Sequence, residues 1–234
     1  MISSTYANQV LAAASPIFSW AVRQEIIAAN PCSGVETHAT TSRERVLSDS
    51  EIVKFWPHLS APLKMVLLTG QRPGEVAHLH RAHVVDGRWW AMPGAPDSRT
   101  AWPGTKNAQS HRIWLSEPVH ELIQDVLAAA EGAGVRIWAM QQGMRDICAR
   151  LGVREKVTPH DLRRTFCSKV TELSFGRDAM NRETNHQEGG IADGYDRHKY
   201  AEENKKIMET VARHIVAIAE HNGPANVIAL GRGR

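Results

Sequence analysis

The chain has 234 residues and a mass of 25.9 kDa, room for one domain and a fragment or for two small domains. Its 42% hydrophobic and 23% charged residues are ordinary globular composition, which excludes a collagen, a disulfide miniprotein and a long disordered chain. Lys and Arg number 28 against 25 Asp and Glu, a net charge of +3 that permits a nucleic-acid partner without demanding one.

From Ile2 to Val22 there is no charged residue. A signal peptide wants a positive segment ahead of such a run, and Ser3, Ser4, Asn8, Gln9, Ser15 and Pro16 break the apolarity a membrane span needs. The expectation is a helix striped by Val10, Leu11, Ala14, Ile17, Phe18 and Val22, ending near Asn30-Pro31. The division expected is a helical segment over residues 1–32, a polar linker over 33–46, a main domain over 47–221 and a flexible tail over 222–234. Leu47-Ser48-Asp49-Ser50-Glu51 offers the cap that opens the main domain. Short helices follow to about His80. Val84 to Trp90 reads as a hairpin turning on Asp86-Gly87, and Arg112-Ile113-Trp114-Leu115 as a third strand. Beyond Pro118 the pattern is helical, broken near Gly132-Ala133-Gly134 and Gly189-Gly190. The last helix, Ala201 to His221, lines up Ile207, Val211, Ile215, Val216 and Ile218, a stripe that needs an apolar partner surface. The sum is an α+β chain, mostly α, with one small antiparallel sheet.

Cys32, Cys148 and Cys167 are odd in number and far apart, so no disulfide framework is readable and a reducing cytosol is the expectation. His78, His80 and His83 lie around a helical turn rather than on one face, with no carboxylate placed to complete a metal set. They read as a solvated turn, and no metal or cofactor is expected.

Four other islands carry reactive groups. Thr69-Gly70-Gln71-Arg72-Pro73-Gly74-Glu75 places an arginine in a tight turn before a helix, and Thr105-Lys106-Asn107 a lysine between strands. Thr158-Pro159-His160-Asp161-Leu162-Arg163-Arg164 opens a capped helix with His160 and Arg163 on one face. Asn185-His186 is followed by Gly194-Tyr195-Asp196-Arg197-His198. Singly each has an ordinary explanation: an Arg72–Glu75 pair at a helix start, a solvated loop lysine, a plain cap, a packed tyrosine ring. Together they suit one reaction. Two arginines can fork onto the oxygens of a phosphodiester, strengthening as charge develops at phosphorus. A tyrosine oxygen can attack it, a lysine can protonate the departing oxygen, and histidines can donate or shuttle protons.

The order Arg, Lys, His-x-x-Arg, His, Tyr resembles the catalytic set of the tyrosine recombinases, or phage-type integrases. The segments that carry the resemblance are TGQRPGE, TKNAQSHRIWLS, TPHDLRRTF and NHQEGGIADGYDRH, over roughly residues 45–221. It implies that fold's catalytic domain, with its three-stranded sheet over Val84–Leu115 and Lys106 on a mobile loop. It implies Arg72, Lys106, His160, Arg163 and His186 around the scissile phosphate and Tyr195 as nucleophile, with Glu75 as a positioning residue. His198 and Tyr200 are second choices. Site-specific DNA cleavage and rejoining through a 3′-phosphotyrosine would follow, as in integrases of phages and bacterial mobile elements. The implied partners are a double-stranded recombination site, a homotetramer on that DNA and accessory DNA-bending proteins, in bacterial cytoplasm and without a membrane. Two departures stand out. Thr184 occupies a position the family usually gives to leucine, and residues 5–32 resemble only the last helix of a core DNA-binding domain. A truncated, non-catalytic DNA-binding or assembly remnant is therefore the alternative.

Overall fold

In the computed structural model the described residues are 3–40, 44–133, 137–186 and 200–220. The chain divides into two compact units, Met1–Glu44 and Arg45–Arg234.

The first unit is helix α1, Ser4–Arg23, followed by turns. Every residue of α1 is at least partly exposed. The helix stops seven residues before the expected proline boundary, and its own last turn is the reason. Glu25 takes a left-handed φ of 57°, so its N–H reaches Val22 O and that of Ile26 reaches Ala21 O, both at 3.0 Å. That pair of bonds closes a helix C-terminus. Asn30 then ties the turn back through its side-chain N–H, which donates to Ser15 O, Ser15 Oγ and Ser19 Oγ.

The second unit opens with α2, Asp49–Phe55, where Ser48 and Glu51 cap reciprocally as expected. Helix α3, Ala61–Thr69, is buried on nearly every side through Leu63, Met65, Val66, Leu67 and Leu68. An all-round apolar helix belongs in the middle of a core, and α3 sits against α5 (Glu117–Ala133), α7 (Pro159–Glu172) and α9 (Ala201–Ala219). The short α4 is Pro73–Ala77. Helix α6, Ile137–Arg150, packs on α4 and α7, and α8, Gly176–Glu183, on α7 and α9.

Strands β1 (Val84–Val85), β2 (Trp89–Met92) and β3 (His111–Trp114) form one antiparallel sheet in that order. Val85 pairs with Trp89, so the hairpin loop is Asp86-Gly87-Arg88, one residue longer than the Asp-Gly turn expected. Asp86 and Gly87 both have positive φ. Trp90, Met92 and Ile113 face the core, while Trp89 and Trp114 meet edge to face at 5.3 Å on the other side. Of the stripe expected on α9, Ile207, Val211 and Ile215 are covered within this unit, and Val216 and Ile218 are partly buried against its core. Ile207, Met208, Val211, Ala212 and Ile215 are fully buried in its core, and Glu209 accepts from Trp114 Nε1 at 3.0 Å. Most of the partner surface that this helix needs is supplied by its own chain.

Candidate active site

Residue Gly70 ends α3 in the left-handed conformation, φ 65°, and the chain turns at once into α4. Arg72 is the residue just ahead of α4, where Glu75 closes the start. Glu75 Oε2 accepts from Arg72 N–H and Oε1 from Arg72 Nη1, both at 2.9 Å. The ion pair and the placement of Arg72 are thus one arrangement. At the start of α7, Asp161 Oδ2 accepts from Thr158 N–H and Thr158 Oγ1, both at 2.8 Å. This fixes the start of α7, with His160 in its first turn and Arg163 three residues on.

Arg72, Lys106 and His160 all line one cavity of about 750 Å³, together with Glu75, His78, Arg145 and Lys156. Three candidate residues from three separate islands therefore share one wall-to-wall space. Partial burial and the positive charges of Arg163 and Arg164 push the His160 imidazole below its ordinary range, with Asp161 opposing. Lys106 is exposed, and among the described residues its ammonium has no partner.

Arg163 is 6% exposed and is not among the cavity's lining residues. Its Nη1 donates to Gly70 O at 2.6 Å and its Nη2 to Thr184 O at 2.7 Å. Burial, then the neighbouring Arg72, push its guanidinium down to about 10. His186 is exposed at the end of α8, with its N–H on Asn181 O at 2.9 Å. Tyr195 and His198 lie outside the described residues. Tyr200, the second-choice tyrosine, stands at the head of α9 with its ring 4.3 Å from the Arg182 guanidinium carbon. His83, from the histidine turn, is buried with its ring 5.2 Å from that of Trp102.

A feature missed at the sequence level is the run Glu183-Thr184-Asn185. Its three successive carbonyl oxygens are all taken by side chains of the site. Glu183 O accepts from Gln71 Nε2 at 2.8 Å and His111 Nε2 at 3.1 Å. Thr184 O accepts from Arg163, and Asn185 O from Arg72 Nη2 at 3.1 Å and Asn107 Nδ2 at 3.4 Å. Gln71 and Asn107 each adjoin a candidate cation in the sequence; that adjacency was the available signal. Thr184, in the leucine position, is buried with its hydroxyl donating to Met180 O at 2.7 Å, so its polarity is satisfied.

The model of the phage integrase family matches residues 44–202. No curated protein matches in sequence. Among solved structures the chain is similar to a lambda integrase dimer bound to a COC′ core site, with TM-score 0.57 and 14% identity over 82% of this chain and 77% of that one. It is similar to a lambda integrase tetramer bound to a Holliday junction, at 0.61 and 14% over 82% and 61%. The integrase from mycobacterium phage Brujita follows at 0.53 and 16% over 89% and 72%. These likenesses show the fold, a mostly helical tyrosine-recombinase catalytic domain with a small three-stranded antiparallel sheet. Among the described residues no helix is long and apolar enough to cross a membrane.

Proposed function

This chain belongs to the phage integrase family, and from that membership we propose that it cuts and rejoins double-stranded DNA at specific sites through a covalent phosphotyrosine. The observation that carries the reading is the shared cavity, which gathers Arg72, Lys106 and His160 from distant parts of the chain. In the proposed reaction Tyr195 gives its phenolic proton to a histidine of the site or to water, its oxygen bonds to phosphorus, and the bond from phosphorus to the 5′-oxygen breaks. Lys106 gives its proton to that oxygen. Arg72 holds a non-bridging oxygen, and Arg163 adds positive charge from within the core; both interactions strengthen as the five-coordinate phosphorus forms. His160, its imidazole pushed down by burial and the neighbouring arginines, and His186 donate hydrogen bonds or pass protons. Rejoining is the reverse: a 5′-hydroxyl attacks the phosphotyrosine and the tyrosine oxygen leaves. Bond energy is kept in the link, so no nucleotide is consumed.

The partner is a duplex recombination site, and the working assembly is four copies on DNA, aided by accessory DNA-bending proteins. A relative bearing this fold is seen as a tetramer on a Holliday junction, which supports that reading. The deciding experiment is an SDS-resistant protein–DNA adduct assay in EDTA, on supercoiled DNA carrying the element's own end junction. Wild type should form the adduct; Tyr195→Phe should bind the DNA and form none. An adduct persisting in Tyr195→Phe overturns the nucleophile, and DNA binding without any adduct in wild type moves the chain to the non-catalytic reading.

A further inference from the structure

The Lys106 ammonium sits in the cavity wall with no partner among the described residues, so nothing in its own side chain's contacts fixes where it points. A lysine on four rotatable bonds is a poor acid unless its backbone is held. The loop that carries it is closed locally: Thr105 Oγ1 donates to Gln109 O at 2.7 Å and Ala108 N–H to Thr105 O at 3.0 Å. Those bonds, with Thr105 N–H on Gly94 O at 3.2 Å, shape the loop and tie it to the end of β2, but none of them reaches Arg72. Asn107, the next residue, supplies that link. Its Nδ2 donates to Asn185 Oδ1 at 3.0 Å, and Asn185 Nδ2 donates back to Asn107 Oδ1 at 3.2 Å, across 78 residues of sequence.

Both ends of this amide pair are themselves anchored. Gln109 N–H donates to Asn107 Oδ1 at 3.3 Å, which orients that amide. Asn185 has a left-handed φ of 50°, and its carbonyl oxygen holds Arg72 Nη2 at 3.1 Å. One residue thus grips the arginine through its main chain and the lysine loop through its side chain. Resting on the reading of Lys106 as the acid for the departing oxygen, we propose that Asn107 and Asn185 are positioning residues. Their reciprocal amide pair sets the Lys106 loop against the phosphate that Arg72 holds.

The test exploits the leaving group. A 5′-bridging sulfur departs as a thiolate and needs no proton, so it removes the demand for an acid while leaving DNA binding and attack unchanged. Adduct formation would be timed for wild type, Lys106→Ala, Asn107→Ala and Asn185→Gly on matched DNA with bridging oxygen or bridging sulfur. Glycine is the choice at 185 because it removes the amide and still accepts the left-handed backbone. On oxygen-bridged DNA, Asn107→Ala and Asn185→Gly should be slower by about 10–100-fold, the scale of a misplaced group. Lys106→Ala should be slower by about 10²–10⁴-fold, the scale of a lost acid. On sulfur-bridged DNA all three should return to the wild-type rate. If Lys106→Ala recovers while the two asparagine variants stay slow on sulfur, the pair is merely structural and the inference is overturned. If Lys106→Ala also stays slow, the acid assignment fails and takes the inference with it. If wild type forms no adduct on either DNA, the functional reading itself falls.

Discussion

Glu183 is the least comfortable residue beside the site. It is fully buried, and neither carboxylate oxygen has a hydrogen-bond partner among the described residues. Burial pushes its carboxyl up to about 8, with Arg182 opposing and Glu203 adding to the rise. The folded protein therefore keeps a proton that the unfolded chain releases near pH 4.5. Between those values the unfolded state binds fewer protons than the native state. Stability should then fall as pH rises, by up to about 1.4 kcal/mol per pH unit. Glu183→Gln stays neutral throughout, so its stability should lose this slope and exceed wild type at pH 8. Urea unfolding at pH 5 and pH 8 measures both; identical slopes in the two proteins would remove Glu183 as the source. The same residue shows what the sequence hides. A glutamate between Arg182 and Thr184 reads as a helix-surface charge, and only packing reveals that it points inward.

At the scale of elements, the junction of α3 and α7 is where the site is most exposed to small changes. An added Cβ on Gly70 would lie 2.2 Å from Phe166 Cδ1, at a φ of 65°. Overpacking and left-handed strain together should cost about 2–4 kcal/mol for Gly70→Ala. The carbonyl of Gly70 also holds Arg163, so the loss in adduct formation should exceed what instability alone explains; thermal melting beside the adduct assay separates the two. Ser48→Ala, by contrast, removes only the cap of α2 and should cost about 1 kcal/mol, read as a lowered urea midpoint. Such caps were legible in advance. Ser48 with Glu51 and Thr158 with Asp161 are local patterns whose chemistry acts within three residues. The end of α1 was not, because proline at position 31 marks where a helix must have stopped rather than where it does. The Asn107–Asn185 pair was out of reach for a different reason. Two amides far apart in sequence carry no mark of facing each other.

Over the whole molecule, a net charge of +3 says little about where positive potential gathers. The cavity does say it: Arg72, Lys106, Arg145 and Lys156 all border it. If this is the face that meets phosphates, replacing one contact should flatten the salt dependence of DNA binding. Lys156→Ala should lower the slope of log affinity against log salt by about 0.9, the value of one released counterion. Fluorescence anisotropy over a salt series measures it, and an unchanged slope places Lys156 off the DNA. The charged islands were legible because reactive side chains in a fixed order are rare by chance, whereas the acceptors that hold them are main-chain oxygens and have no letter in the sequence. That has a consequence for variation. Where Gln71, His111, Arg72 and Arg163 grip the carbonyls of residues 183–185, they sense the path of the chain and are blind to the identity of its side chains. In a saturation library, Thr184 should tolerate an apolar residue of its own volume such as Val and reject Asp, which would bury an unpaired charge. Proline should be rejected at 184 and at 186, whose N–H groups close the turn onto Met180 O and Asn181 O. Position 184 can therefore be rewritten so long as the path of the chain is kept, while Asn185 cannot, because its side-chain amide holds the Lys106 loop.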